Sequence, residues 1–223
     1  MTGIKNNPSG DLRVLRLSNN KLSITAAIRL AHVMKTRPSN VSPINLQVLR
    51  LSHNLIGNLG CETLISFLKK NNTLKYLDIS FNQIGDRGMV AVSDAFKENQ
   101  KLEVFNILGN DFTDKSIRFL GEAMNENKKS KMVILKIGTV TCEAATFETF
   151  IKLGYDKSPV LKYMYITTNQ HSHPIIQKIA DNEGENPKTL IVTENYDSKI
   201  DSPMIIDLMT QISELEIFQG GDM

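Results

Sequence analysis

Very few side chains in this 223-residue chain have types and spacing suited to chemistry. His171 and His173, separated only by Ser172, could bring two imidazoles to one metal ion. A zinc site needs three or four ligands, and no cysteine or acidic cluster of ligand spacing accompanies the pair. His171 instead falls on a core position of the pattern described below, and His173 precedes Pro174 at an expected helix start. No Gly-rich phosphate cradle and no G-x-S-x-G elbow occurs, which removes the usual sequence grounds for nucleotide chemistry or for a serine nucleophile. Cys61 and Cys142 lie in units separated by two others and are expected to be reduced structural thiols rather than a disulfide. No catalytic residue, metal or cofactor is assigned. Binding is the chemistry that remains.

The elements that would position binding side chains are legible in Leu74 to Phe96, LKYLDISFNQIGDRGMVAVSDAF. Leu74, Leu77 and Ile79 precede Asn82 in the pattern L-x-x-L-x-L-x-x-N: a short strand with one buried face, then a turn whose Asn side chain can bond backbone groups. Beyond the turn the period changes, and Ile84, Gly88, Val92 and Phe96 recur every four residues as one stripe of a helix. One strand and one helix of this length cannot bury both apolar faces, so copies must stack. The copies are present. Aligned on the Asn, they read Leu12, Leu15, Leu17, Asn20; Leu46, Leu49, Leu51, Asn54; the type unit; and Leu102, Phe105, Ile107, Asn110. Weaker units follow: Met132, Leu135, Ile137 with Val140 in place of Asn; Leu161, Met164, Ile166, Asn169; and Pro187, Leu190, Val192, Asn195. A half-unit, Ile212, Leu215, Ile217, Gly220, ends the series. Steps between anchors run 34, 28, 28, 30, 29, 26 and 25 residues, the first lengthened by a loop at 36–43 holding Pro38 and Pro43.

From Leu12 to Gly220 the chain resembles the leucine-rich-repeat proteins of the ribonuclease-inhibitor-like subfamily. That resemblance implies an α/β solenoid, a horseshoe with a parallel sheet on its concave side and helices outside. Residues 1–11 read as a polar lead-in and residues 12–223 as one domain of seven repeats plus the half-repeat. The repeat type is also similar to that of the Ran GTPase-activating proteins. It would imply a role for a strand-borne Arg in stabilising phosphoryl charge, for which Arg16 and Arg50 are the candidates on the concave face.

Residues flanking the two buried positions of each strand point to the open side of the sheet. One row of them is Val14, Val48, Tyr76, Val104, Ile134 and Tyr163; the next is Arg16, Arg50, Asp78, Asn106, Lys136 and Tyr165, and a third position adds His53 and Phe81. An apolar row on a solvent-facing sheet, edged by Arg and Tyr, has the composition of a protein-binding surface. Arg16, Arg50, His53, Tyr76, Asp78, Phe81, Asn106, Lys136, Tyr163 and Tyr165 are therefore the expected partner contacts. The same residue types also suit any strand, so the row alone does not name a partner.

Net charge is only +2, which argues against direct nucleic-acid binding. Its distribution is uneven: residues 1–70 carry ten basic and two acidic side chains, net +8, and residues 181–223 carry two and ten, net −8. A solenoid converts that into a basic end and an acidic end. No segment beyond the first or last strand has the makings of a capping helix, so end-on docking in a multi-subunit assembly, or membership of a longer array, is expected. The N-terminal stretch has no apolar run, so no signal or membrane span is read and a cytoplasmic location is expected. Abundant Asn, Lys and Ile suggest an AT-rich protist genome, where such chains occur in cytoskeletal or ciliary assemblies. The sequence-level conclusion is a non-catalytic protein-interaction module or scaffold, with a small-GTPase regulator as the alternative.

Overall fold

A computed structural model describes residues 12–35, 45–140, 143–158, 160–168 and 189–193. Strands and helices alternate: β1 Val14–Arg16, α1 Ile24–Lys35, β2 Val48–Arg50, α2 Gly57–Leu68, β3 Tyr76–Asp78, α3 Asp86–Glu98, β4 Val104–Asn106, α4 Asp114–Glu126, β5 Ile134–Val140, α5 Ala144–Phe150, β6 Tyr163–Thr168 and β7 Thr189–Thr193. Helix α5 runs on as a π-helical turn, Ile151–Asp156. The strands form one parallel sheet in sequence order. Leu15, Leu49, Leu77, Phe105, Leu135, Met164 and Leu190 are successive partners across it, which is the expected register. Strands stand about 4.8 Å apart and packed helices about 8–10 Å, so the sheet lies on the inner side of the curve.

The core lies between sheet and helices. It joins Leu49, Leu77, Phe105, Leu135 and Met164 to the helix stripe Leu30, Leu64, Val92 and Leu120. The buried helical face is broader than the expected single stripe, since Cys61, Met89 and Ile117, one residue further on, are buried too. Leu12, Leu15, Leu17 and Leu22 of the first unit are only partly buried, because no described unit covers their outer side.

Three side-chain ladders join neighbouring units. In the first, the turn asparagines reach back one unit: Asn54 donates to the Leu17 carbonyl at 2.9 Å and accepts from the N–H groups of Asn20 and Leu22 at 3.0 and 2.9 Å. Asn82 donates to the Leu51 carbonyl at 2.9 Å, and Asn110 to that of Ile79 at 3.1 Å. In the second, asparagines near the helix ends do the same, as Asn99 donates to the Leu68 carbonyl at 2.7 Å and Asn127 to that of Phe96 at 2.6 Å. The third runs forward. Asn58 accepts from the N–H groups of Gly85 and Gly88 at 2.8 and 3.0 Å, capping α3 from the preceding unit, and Asp86 accepts from Thr113 N–H at 2.7 Å and from the Ser116 hydroxyl, capping α4. These bonds satisfy helix-end and turn groups that would otherwise be unpaired.

Burial raises the affinity of the Asp86 carboxyl for its proton, but the Ser116 hydroxyl, both donors of Thr113 and nearby Lys115 outweigh it and hold the group below its ordinary value. A carboxyl depressed in the folded state adds stability above its unfolded pKa of about 3.9 and loses it as pH falls through the lower folded value. Asp86→Asn is therefore expected to lower the melting temperature at pH 7. The gap between variant and parent should close progressively below about pH 4. Paired melts across pH check this.

The ladder of turn asparagines stops where Val140 replaces Asn. Without a side-chain amide to turn the chain, β5 runs on to seven residues and β6 pairs with it as far as Thr168, across an irregularity between Lys136 and Gly138. Gly138 has φ +87°, and a Cβ there would stand 2.9 Å from the Gly109 nitrogen and the Leu108 Cα. Only glycine fits that backbone approach.

The lead-in 1–11, the loop 36–43, Cys142, the His171–His173 pair, Asn169, Pro187, Asn195 and the half-unit 212–220 lie outside the described residues.

Candidate functional site: the concave face and its rim

All of the expected contact residues stand on the strands or the turns just after them. Register pairing places Val14, Val48, Tyr76, Val104, Ile134 and Tyr163 in one row and Arg16, Arg50, Asp78, Asn106, Lys136 and Tyr165 in the next. Their exposure departs from expectation. Val48, Tyr76, Val104 and Ile134 form an apolar cluster of their own with Val14, Val133 and Tyr163 at its margin, and Val48 and Val104 are 0% and 1% exposed. Asp78, Asn106, Lys136 and Tyr165 are buried as well, Lys136 to 7%. The row is thus not an open, solvent-facing strip. Side chains on the inner side of a curved sheet converge and shield one another laterally. Arg16 remains exposed, and Arg50 and Tyr163 are half-buried.

The charged row is organised by local bonds. The Asp78 carboxylate accepts from the Ser80 N–H at 2.9 Å and the Ser80 hydroxyl at 2.6 Å, while Asn106 accepts from Leu108 N–H at 3.2 Å. Next to them the Arg50 guanidinium lies 5.3 Å from the centre of the Tyr76 ring, within the range of a cation–π contact.

The rim after the strands repeats one backbone device. The residue before each turn Asn is left-handed: Asn19 at φ +58°, His53 at +54°, Phe81 at +53° and Gly109 at +61°. Such φ values are strained for a bulky residue such as Phe, at roughly 1–3 kcal/mol. Compensation comes from stacking. The His53 and Phe81 rings lie 4.3 Å apart and 8° from parallel, and Phe81 covers Gly109, where a Cβ would sit 2.2 Å from its ring. The result is a rigid aromatic pair beside the Arg50–Tyr76 pair. Sequence spacing identified all four residues but not their pairing, and it missed the hydroxyl contact between the first two units, where Ser52 donates to Ser18 at 2.8 Å.

Cys61 shows what the helical side does not offer. Burial, with a smaller contribution from Glu62, pushes its thiol up to about 12, so it is protonated at neutral pH and is no nucleophile. It is free and packed beneath the Gly88 carbonyl at 3.8 Å. Thiol reagents are expected to leave Cys61 unmodified in the folded protein and to modify it fully in denaturant, as mass mapping would show. Among the described residues no group of three His, Cys, Asp or Glu side chains could hold a metal ion, and no helix is long and apolar enough to cross a membrane.

The comparisons agree with this geometry. The family described as Leucine Rich repeat matches residues 42–64 and 70–93, which cover the strand, the turn and part of the helix of the second and third units. The fold is a leucine-rich-repeat solenoid. Among solved structures the chain is similar to Leiomodin-1 Actin-Binding Site 2 (ABS2), at 15% identity and a TM-score of 0.52, over 70% of this chain and 86% of that one. That likeness speaks to the fold. No curated protein sequence matches significantly. Leucine-rich repeats are suited to protein–protein interaction because stacked units create an extended concave surface.

Proposed function

We propose that this leucine-rich-repeat chain is a non-catalytic, cytoplasmic interaction module of the ribonuclease-inhibitor-like type, receiving a protein partner on its concave sheet and rim. Unit spacings near 28 residues with a 12- or 13-residue helix in each of the first four support the subtype. The observation that carries the reading is the juxtaposition of Arg50 over Tyr76 and His53 on Phe81 at the ends of β2 and β3. Pre-stacked aromatic and Arg side chains lose little freedom on binding, which is why such groups dominate interface energies.

A cytoskeletal setting is supported by the likeness to Leiomodin-1 Actin-Binding Site 2, so actin is the partner to test first. The module is expected to co-sediment with filamentous actin or to bind monomeric actin in a pulldown. Failure in both would remove the cytoskeletal part of the reading. Stimulated GTP hydrolysis by a small GTPase, lost on Arg16→Ala, would replace it with the regulatory alternative.

Docking at the first unit is part of the same proposal. Leu15, Leu17, Leu22 and Ala26 line an apolar hollow of about 460 Å³ at that end, with Arg29 at its edge. The exposed Asn20 side chain donates within its own turn, to the Ser18 carbonyl at 2.7 Å, whereas the side chains of Asn54 and Asn110 each bond the unit before them. A stacked neighbour would complete both features.

A further inference from the structure

Among the described residues β1 is an outer strand of the sheet. In the units that follow, one set of backbone groups bonds the strand before. Gln47 and Val48 N–H both donate to the Arg13 carbonyl, at 2.8 and 3.0 Å, Lys75 and Tyr76 N–H donate to that of Gln47, and the Arg50 carbonyl accepts from Leu17 N–H at 2.8 Å. The equivalent groups of the first unit are the N–H groups of Arg13 and Val14 and the carbonyl of Arg16. They lie along the outer edge of β1, and such an edge is a template for one more strand.

The apolar hollow lies beside that edge, lined by Leu15, Leu17, Leu22, Thr25, Ala26 and Arg29. Leu15 and Leu17 are inward residues of β1, so the hollow stands where alternate side chains of an added strand would enter. The charge around it has one sign. Between Asp11 and Glu62 the sequence holds seven Lys and Arg and no acidic residue. Arg13, Arg16, Lys21 and Arg29 are exposed, on β1, next to it or at the hollow.

We propose that the β1 edge and its hollow take an extended segment of a protein partner, added as one more parallel strand. Its apolar residues, at alternate positions, enter the hollow, and acidic residues between them face Arg16. The proposal rests on the first-unit docking reading above and names the segment that docks. Backbone bonds to the edge give affinity, the hollow selects alternation, and the basic surround selects acidic residues.

Fluorescence polarisation with the full chain tests this, using as probe a labelled peptide of strictly alternating Glu and Leu. Saturable binding is expected, at least tenfold tighter than that of an isomer with its Leu residues in one block. The Arg13 carbonyl and Leu17 N–H, in step with inward Leu15, both turn to β2. By the same pattern the probe's Leu amides face β1 and its Glu amides face away. N-methylation of the Leu amides should cost at least tenfold in affinity and of the Glu amides less than threefold. Bound probe should slow hydrogen exchange at Val14 N–H at least tenfold. A26R, which fills the hollow, should abolish binding with an unchanged circular dichroism spectrum. R16E changes an exposed side chain and should weaken the probe at least fivefold. A probe with Lys in place of Glu should bind R16E at least fivefold better than it binds the parent.

Equal affinity for the two isomers, or an equal cost of methylation at both sets of amides, would show charge attraction alone and refute strand addition. A Val14 N–H already protected in the free chain would show the edge filled by this protein itself, and sedimentation would tell a second copy from the same chain. Probe binding lost in R50E/H53E and kept in A26R would place the site on the concave rim instead. Absence of saturable binding overturns the segment named here. The first-unit docking reading falls with it only if A26R also leaves actin co-sedimentation unchanged.

Discussion

Replacing Asn82 with Ala is expected to destabilise the protein by roughly 3 kcal/mol, with a matching fall in the midpoint of urea unfolding. Asn82 is 0% exposed and sits at the centre of the turn ladder. Its amide donates to the Leu51 and Ser80 carbonyls at 2.9 and 2.8 Å, and its carbonyl accepts from Ile56 N–H at 3.4 Å. Alanine would leave the Ile56 N–H buried without this acceptor, at about 1–3 kcal/mol, and would remove one donor each from the Leu51 and Ser80 carbonyls, at about 0.5–1.5 kcal/mol each, although those keep the Asn54 amide and the His53 N–H. Asn20→Ala provides the contrast, because Asn20 is exposed and bonds no preceding unit. Equal costs at the two positions would mean that the ladder is not what joins the units.

Leu77→Ala is expected to cost about 2–5 kcal/mol, the range for a large-to-small change in a packed core. Leu77 is 2% exposed, between Leu49 and Phe105 in the sheet, and belongs to the core shared with the helices. The cavity would interrupt contacts with units on both sides, and in a solenoid each unit depends on its neighbours. Leu15→Ala should cost less, since Leu15 is only partly buried at the end of the stack. Equilibrium unfolding of the two variants gives the comparison directly.

The architecture was legible because two periods share one register. A two-residue period marks each strand and a four-residue period each helix, and the Asn between them fixes their phase, so Leu77 could be placed inward and Asp78 outward. What sequence could not supply was depth. Side-chain alternation says which face Lys136 occupies, but its burial depends on groups far away in sequence. The same holds for the cross-unit caps: Asn58 and Asp86 stand in the first turns of α2 and α3, yet they cap α3 and α4 of the next units. Val140 was visible as a lost Asn. Its consequence, a seven-residue β5 held against Leu108 and Gly109 by Gly138, needed the three-dimensional approach.

The central claim is that binding belongs to the concave side and its rim, and the most direct test is a comparison of two charge-reversed variants in the co-sedimentation assay proposed above. R50E/H53E alters the rim beside Tyr76 and Phe81, whereas R87E/R118E alters exposed helical positions that pair with Glu62 and Glu122. The account predicts at least a tenfold loss of affinity for R50E/H53E and less than a twofold change for R87E/R118E, with both variants folded at the assay temperature and the melt of R50E/H53E somewhat the lower for loss of the His53–Phe81 stack. Binding that survives R50E/H53E and is lost in R87E/R118E would contradict it and place the interface on the helices.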